Sequence, residues 1–316
     1  GLAAALLMVI LQIILADVFA APVARLTGAA HLTYTQSFAV GAAPLAWLVN
    51  FIISKIPGLR DRRFSPEQSR RGNFLMEPSL WGLIAGIIMG LVAGLTIYDA
   101  VSFALVLAGC LFALPRLLRV FCRAASSVLE PMAARKVQSG KLPLMVAVNA
   151  VTGTANATTL LSAVVLVPVT VLLASVLPGN LVLPLGDCAI LLYLMIFVTA
   201  LSGGCLLRSL FTGAVSAVAM LYCGTLLTYL FTNAARAMDA AAYSAGQYNT
   251  LCNTANPLSL LFVEGASYGI AGIAALAVLV LGIAFLSGRR LRRLTLHLAT
   301  SSTAAAETEA PAAEEN

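Results

Sequence analysis

Charge is what this sequence has least of. Of its 316 residues only 10% are Asp, Glu, Lys or Arg, against 60% hydrophobic, with a mean hydropathy of +0.94. A soluble domain carries about 25% charged residues, so a free-standing water-soluble fold is excluded. Histidine is nearly absent as well: His31 and His297 are the only two, too few for a histidine-rich metal site. The six cysteines form no CxxC pair, and five of them lie in or beside apolar runs. They read as small hydrophobic fillers, with neither a disulfide framework nor a zinc site indicated. No GxxxxGK[ST] string and no strand-linked GxGxxG occurs, which excludes a self-contained nucleotide-driven motor. No metal, no cofactor and no self-contained catalytic motif is expected. The formal charge of +6 is assigned to loops facing anionic lipid headgroups, with no nucleic-acid partner.

The few charges that exist are unevenly placed. Six basic residues crowd into Lys55–Arg71 and six more into Arg116–Lys141, while Asp99 is the only charge between Ser79 and Pro115. A hydrocarbon core of roughly 30 Å takes about 20 apolar residues of helix. Two crossings joined by a turn at Asp99 therefore return both basic clusters to one face, and clustered Lys and Arg mark the cytoplasmic side. The expected fold is all-α and polytopic, with about eight spans near 2–20, 38–56, 79–98, 100–118, 158–177, 188–207, 209–231 and 265–287. Residues 1–293 form the transmembrane domain, with cytoplasmic loops at about 57–78 and 119–141. The small, acidic stretch 294–316 is expected to be a disordered cytoplasmic tail. The chain opens on Gly1 with apolar sequence to Ile14 and shows neither a basic start nor a cleavage site. This first segment is read as a retained helix, in the C-terminal portion of something longer.

Two stretches are too polar for plain spans and too apolar for plain loops: Leu26–Phe38 and Leu142–Thr159. Each reads as re-entrant or broken helix, backbone tolerated at membrane depth only inside protein or along a wet cavity. An extracytoplasmic loop or interfacial helix is the alternative. Residues 232–264 are similar but longer and more ambiguous. Gly82, Gly86, Gly90 and Gly94 recur every fourth residue and make a smooth helix face for close packing, within the chain or in a homodimer. Asp17, Asp187 and Glu264 lie near expected span ends, where water reaches them. The broken segments instead offer uncharged hydrogen-bonding groups: Thr35 and Gln36 in one, Asn149, Thr154 and Asn156 in the other. Amides and hydroxyls both donate and accept without net charge, which suits a neutral polyhydroxylated solute. Ion transport would call for carboxylates or carbonyl rings.

Several strings follow one another in order: KIPG at Lys55–Gly58, RRFSPEQSRR at Arg62–Arg71, EPSLWGLIAGIIMGLVAG at Glu77–Gly94, LPRLLR at Leu114–Arg119, LPGNLVLPLGD at Leu177–Asp187 and LLRSLFTG at Leu206–Gly213. Together, across most of Ala16–Ala237, they resemble the membrane permease (IIC) component of the galactitol-type sugar phosphotransferase system, truncated at its N-terminus. The resemblance implies a partial inverted-repeat transporter fold in the bacterial inner membrane, similar to that of ascorbate permeases. It further implies a sugar or alditol substrate and phosphorylation by a cytoplasmic IIB partner supplied by IIA. Where relatives have an IPHG-like string, this chain has Gln36 at the histidine. Where they have LDPALLLGH, it has Asn149 at the aspartate and Asn156 at the histidine. An amide binds a hydroxyl but cannot take its proton, so a facilitator or secondary carrier uncoupled from phosphorylation is the alternative expectation. A non-transporting fragment is a third.

Overall fold

The computed structural model describes residues 1–29, 31–56, 77–138, 145–185 and 187–309. The basic loop expected at 57–78 lies almost wholly outside them. Eleven α-helices occur among the described residues. Helices α1 (Leu2–Val18) and α2 (Ala20–Thr27) form a pair bent by 51°. The bend has a local cause: Pro22 sits four residues beyond Val18, where its ring would meet the Val18 carbonyl of a continuous helix and no N–H is available to bond it. After the two-residue strand β1 (Leu32–Thr33) comes α3 (Ser37–Ile53), and then a hairpin of α4 (Pro78–Val92) and α5 (Ile97–Gln138). Strand β2 (Val146–Ala147), a 3-10 turn (Ala150–Ala155) and α6 (Ala157–Val176) follow. The remainder is α7 (Leu191–Leu201), α8 (Leu206–Leu226), α9 (Thr228–Met238), α10 (Pro257–Ser267) and α11 (Gly269–Glu309).

Each of the eight expected spans has a helical counterpart. Four helices are long and apolar enough to cross a membrane, and the bent α1–α2 pair makes five if it is one span. Helices α3, α4 and the Cys188–Leu201 segment are apolar but shorter. The fold is that of an all-α, multi-pass membrane protein. Large hydrophobic side chains such as Val92, Val106 and Ile270 stand exposed on the outer helices, the surface that lipid covers.

The α4–α5 hairpin shows how the glycine face is used. A Cβ at Gly86 would stand 2.6 Å from Ala104 Cα, and one at Gly90 would stand 2.8 Å from Ala100 Cβ. Gly82 meets Leu111 in the same way. The partner helix is therefore α5 of the same chain. Gly94 departs from the pattern: α4 has ended at Val92, and Gly94 takes φ +78° in the turn, where it packs against nothing within 4 Å. Thr96 starts α5, accepting a 3.2 Å bond from Asp99 N and donating to Asp99 Oδ2. The acidic residue at the turn of the hairpin thus serves a helix start. At the open end Arg116 pairs with Glu77 at 3.8 Å.

Helix α5 runs 42 residues, roughly 63 Å at 1.5 Å per residue, well beyond one bilayer crossing. The basic stretch from residue 119, expected as a loop, is therefore helical through 138. Its far half is used in packing: Cys122, with Leu118, Ala125 and Leu129 beside it, packs with Ala29, Leu32 and Ala155. The main core lies between α3, α6, α7 and α8, where Phe38, Leu166, Met195, Val198 and Leu221 are buried.

Candidate functional site

The two interrupted segments meet. Strands β1 and β2 pair in parallel, Leu32 opposite Val146 and Thr33 opposite Ala147. Val146 N donates to His31 O at 2.9 Å and Val148 N to Thr33 O at 3.0 Å. A two-residue ladder is weak by itself, but it satisfies backbone groups that the breaks in the helices leave open. Each strand then leads into a helix, α3 on one side and the 3-10 turn with α6 on the other.

The five side chains expected to bind solute fall into two groups. Thr35 and Gln36 are half-buried and Asn149 is exposed. Asn149 Oδ1 accepts from Val151 N at 2.9 Å, starting the 3-10 turn. Thr154 and Asn156 are committed elsewhere. Thr154 is fully buried and donates to Val151 O at 2.6 Å. Asn156 Oδ1 caps α6 by accepting from Thr158 N and Thr159 N, and its Nδ2 donates to Leu26 O at 3.2 Å. An asparagine at this position satisfies helix donors that would otherwise be buried and unpaired.

A third segment joins them, within the stretch whose sequence was ambiguous. Residues Asn249–Asn256 follow the same pattern as Asn149–Asn156: Asn, four intervening residues, then Thr-Ala-Asn. Thr154-Ala155-Asn156 and Thr254-Ala255-Asn256 match residue for residue, and both final asparagines cap apolar helices. Asn256 Oδ1 accepts from Ser259 N at 3.0 Å at the start of α10. That recurrence is the sequence signal that would have picked out the segment.

The third segment docks on the start of α3. Gln36 Nε2 donates to Asn253 Oδ1 at 3.2 Å. Ser37 Oγ accepts from Gln12 Nε2 at 2.9 Å and from Asn256 Nδ2 at 3.0 Å. Gly41 makes room for this contact: a Cβ there would lie 2.6 Å from Asn256 Cγ. On its other flank the segment is tied to the loop before α7. Asp187 Oδ2 accepts from Leu251 N at 3.2 Å and from Thr250 Oγ1, and Asn249 Nδ2 donates to Leu181 O at 2.7 Å. Asp187, expected at a solvated helix end, thus anchors the third segment. The side chains gathered at the start of α3 are amides and hydroxyls, able to donate to and accept from a polyol without charge.

One string with the spacing of a nucleophile elbow, Gly265-Ala266-Ser267-Tyr268-Gly269, also occurs. It joins α10 to α11, whereas the elbow needs a strand-to-helix turn, and Ser267 Oγ is bonded to Glu264 O at 2.6 Å. Its geometry is that of a helix junction.

Comparison with known proteins matches residues 1–246 to the family described as "PTS system sugar-specific permease component". The chain is 25% identical over 286 residues to a protein of Escherichia coli (strain K12) that carries the provisional name permease IIC component, covering 89% of this chain and 65% of that one. It is 26% identical over 253 residues to the PTS system galactitol-specific EIIC component of the same strain and to that of Escherichia coli O157:H7, covering 79% of this chain and 56% of each. It thus spans between 56% and 65% of the length of these relatives. No solved structure matches. With more than three-quarters of its length matched, the chain belongs to the PTS sugar-specific permease family.

Proposed function

We propose that this protein carries a sugar or alditol, galactitol being the first to try, across the bacterial inner membrane as the IIC component of a phosphotransferase system. The observation that carries the reading is the junction at residues 31–37, joined by the 146–148 backbone through the β1–β2 ladder and by Asn253 through Gln36, in a chain of this family. Thr35, Gln36 and Asn149 are the solute-facing groups. Thr154 and Asn156 act behind them, fixing the backbone that presents Asn149. The basic stretches and the C-terminal tail lie on the cytoplasmic side, by the tendency of Lys- and Arg-rich segments to stay untranslocated. A IIB protein, phosphorylated by IIA, would dock on that face.

Phosphorylation requires a solute hydroxyl to lose its proton as the phosphoryl group arrives. Gln36, Asn149 and Asn156 bind hydroxyls but accept no proton. This specific feature favours a second reading, a facilitator of the same fold that releases unmodified solute. Radiolabelled galactitol uptake, with and without phosphoenolpyruvate-derived phosphoryl donors, separates the two. The first reading expects uptake to stop and sugar phosphate to vanish without donors. Undiminished uptake of unmodified galactitol would overturn it in favour of the second. If neither galactitol nor any hexose or hexitol enters in either condition, both readings fail.

A further inference from the structure

We infer that Asn253 is a solute-binding residue, paired with Gln36, and that the second copy of the Asn-x4-Thr-Ala-Asn pattern supplies one wall of the site. The inference rests on the proposed transport of a polyhydroxylated solute and adds to it a third segment. Three observations carry it.

Both copies of the pattern lie beside residues 31–37: the first directly follows the β1–β2 ladder, and the second bonds to Gln36 and Ser37. The network at that junction is also graded from inside to outside. Its inner members are sealed, with Asn256 at 0% and Gln12 at 7% exposure. Of its outer members, Gln36 is half-buried and Asn253 is exposed. A single mutual bond leaves each of them unspent capacity. Among the described residues Gln36 Oε1 has no donor and Asn253 Nδ2 has no acceptor. Each amide can offer both N–H donors and oxygen lone pairs. An acceptor and donors side by side match neighbouring hydroxyls of a polyol, each of which gives and takes one bond. The inner residues fix where that pair stands, so less side-chain freedom is lost on binding.

The third observation is what occupies the same position in the other copy. Asn253 corresponds to Gly153, and Gly153 is packed so closely that a Cβ would lie 2.7 Å from Ile196 Cγ1. The first copy uses that position to pack on α7 and cannot hold an amide there. The second copy puts an amide there, turns it to Gln36, and leaves it exposed. An exposed amide with one bond contributes little to stability, so its role in binding can be read separately from the fold.

The test is equilibrium binding of radiolabelled galactitol to the full chain in membrane vesicles, alongside its thermal unfolding. Asn253→Ala should weaken binding by at least about fivefold, the loss of a shared hydrogen bond to a hydroxyl, with the unfolding temperature unchanged. Asn253→Gln, which keeps the amide, should recover part of the affinity. Unchanged affinity in Asn253→Ala would overturn the inference alone. Weaker binding accompanied by a lower unfolding temperature would make Asn253 a packing residue and would also overturn it. No galactitol, hexose or hexitol bound by the unsubstituted protein would sink the transport reading and this inference together.

Discussion

Asn149–Asn156 and Asn249–Asn256 are two copies of one pattern that divide the labour in opposite ways. Their last residues do the same thing: Asn156 and Asn256 are buried caps at the starts of apolar helices. Their first residues differ. Asn149 bonds within its own turn and is exposed, whereas Asn249 is tied to Leu181 O and Thr228 Oγ1 across the fold. Their fifth residues differ in the reverse sense, Gly153 packed tight and Asn253 exposed. The comparison teaches that a repeated sequence fixes the shared scaffold, here the cap. The position left free to carry chemistry is set by what each copy packs against.

Substitution at the shared position should have the largest effect. Asn256→Ala removes the α10 cap and the bonds to Ser37, Asn253 O and Ser259, so a loss of about 2–3 kcal/mol is expected for a buried, multiply bonded group. Asn156→Ala should cost slightly less, about 1–2 kcal/mol as a lost cap with one further bond. Thermal unfolding in detergent checks both, and a neutral result in either would break the assignment of a common scaffold. Next comes the position that distinguishes the copies. Gly153→Asn should destabilise by about 1–3 kcal/mol through overpacking against Ile196, while Asn253→Gly should change the unfolding temperature little. Equal losses would erase the contrast. Asp187→Ala should act locally, freeing Thr250 and Leu251 N. Hydrogen exchange should rise across 249–252 and stay unchanged in α6; unchanged exchange at Leu251 would remove Asp187 as an anchor. The smallest effect is expected from Asn149→Ala, under about 1 kcal/mol for an exposed turn-starting bond.

Much of this was legible in the chain itself. Apolar run length placed a helix at every expected span, and the four-residue glycine spacing identified a face whose partner proved to be α5 of the same hairpin. Both kinds of information are local. The polar composition of 26–38 and 142–159 marked them as interrupted, because backbone polar groups cannot be left open in lipid. What composition could not give was pairing. The register of Leu32 on Val146 is decided by the packing of Cys122, Ala29 and Ala155 around it. For the same reason the bonds of Thr154 to Val151 O and of Asn156 to Leu26 O are not readable from sequence, since they depend on the folded backbone. The helical continuation of α5 past residue 118 was hidden by its arginines, which signal a membrane boundary but do not end a helix. Gly94 kept the glycine spacing yet fell in the turn, because Gly is equally suited to a close face and to positive φ.

We propose that solute sits where the interrupted segments meet. Single cysteines at Gln36, Asn149 and, as a remote control, Tyr98 in a background lacking the native cysteines can be labelled with a maleimide in membrane vesicles. Galactitol should slow labelling at positions 36 and 149 and leave position 98 unaffected. Transport of galactitol with no protection at either position would contradict it.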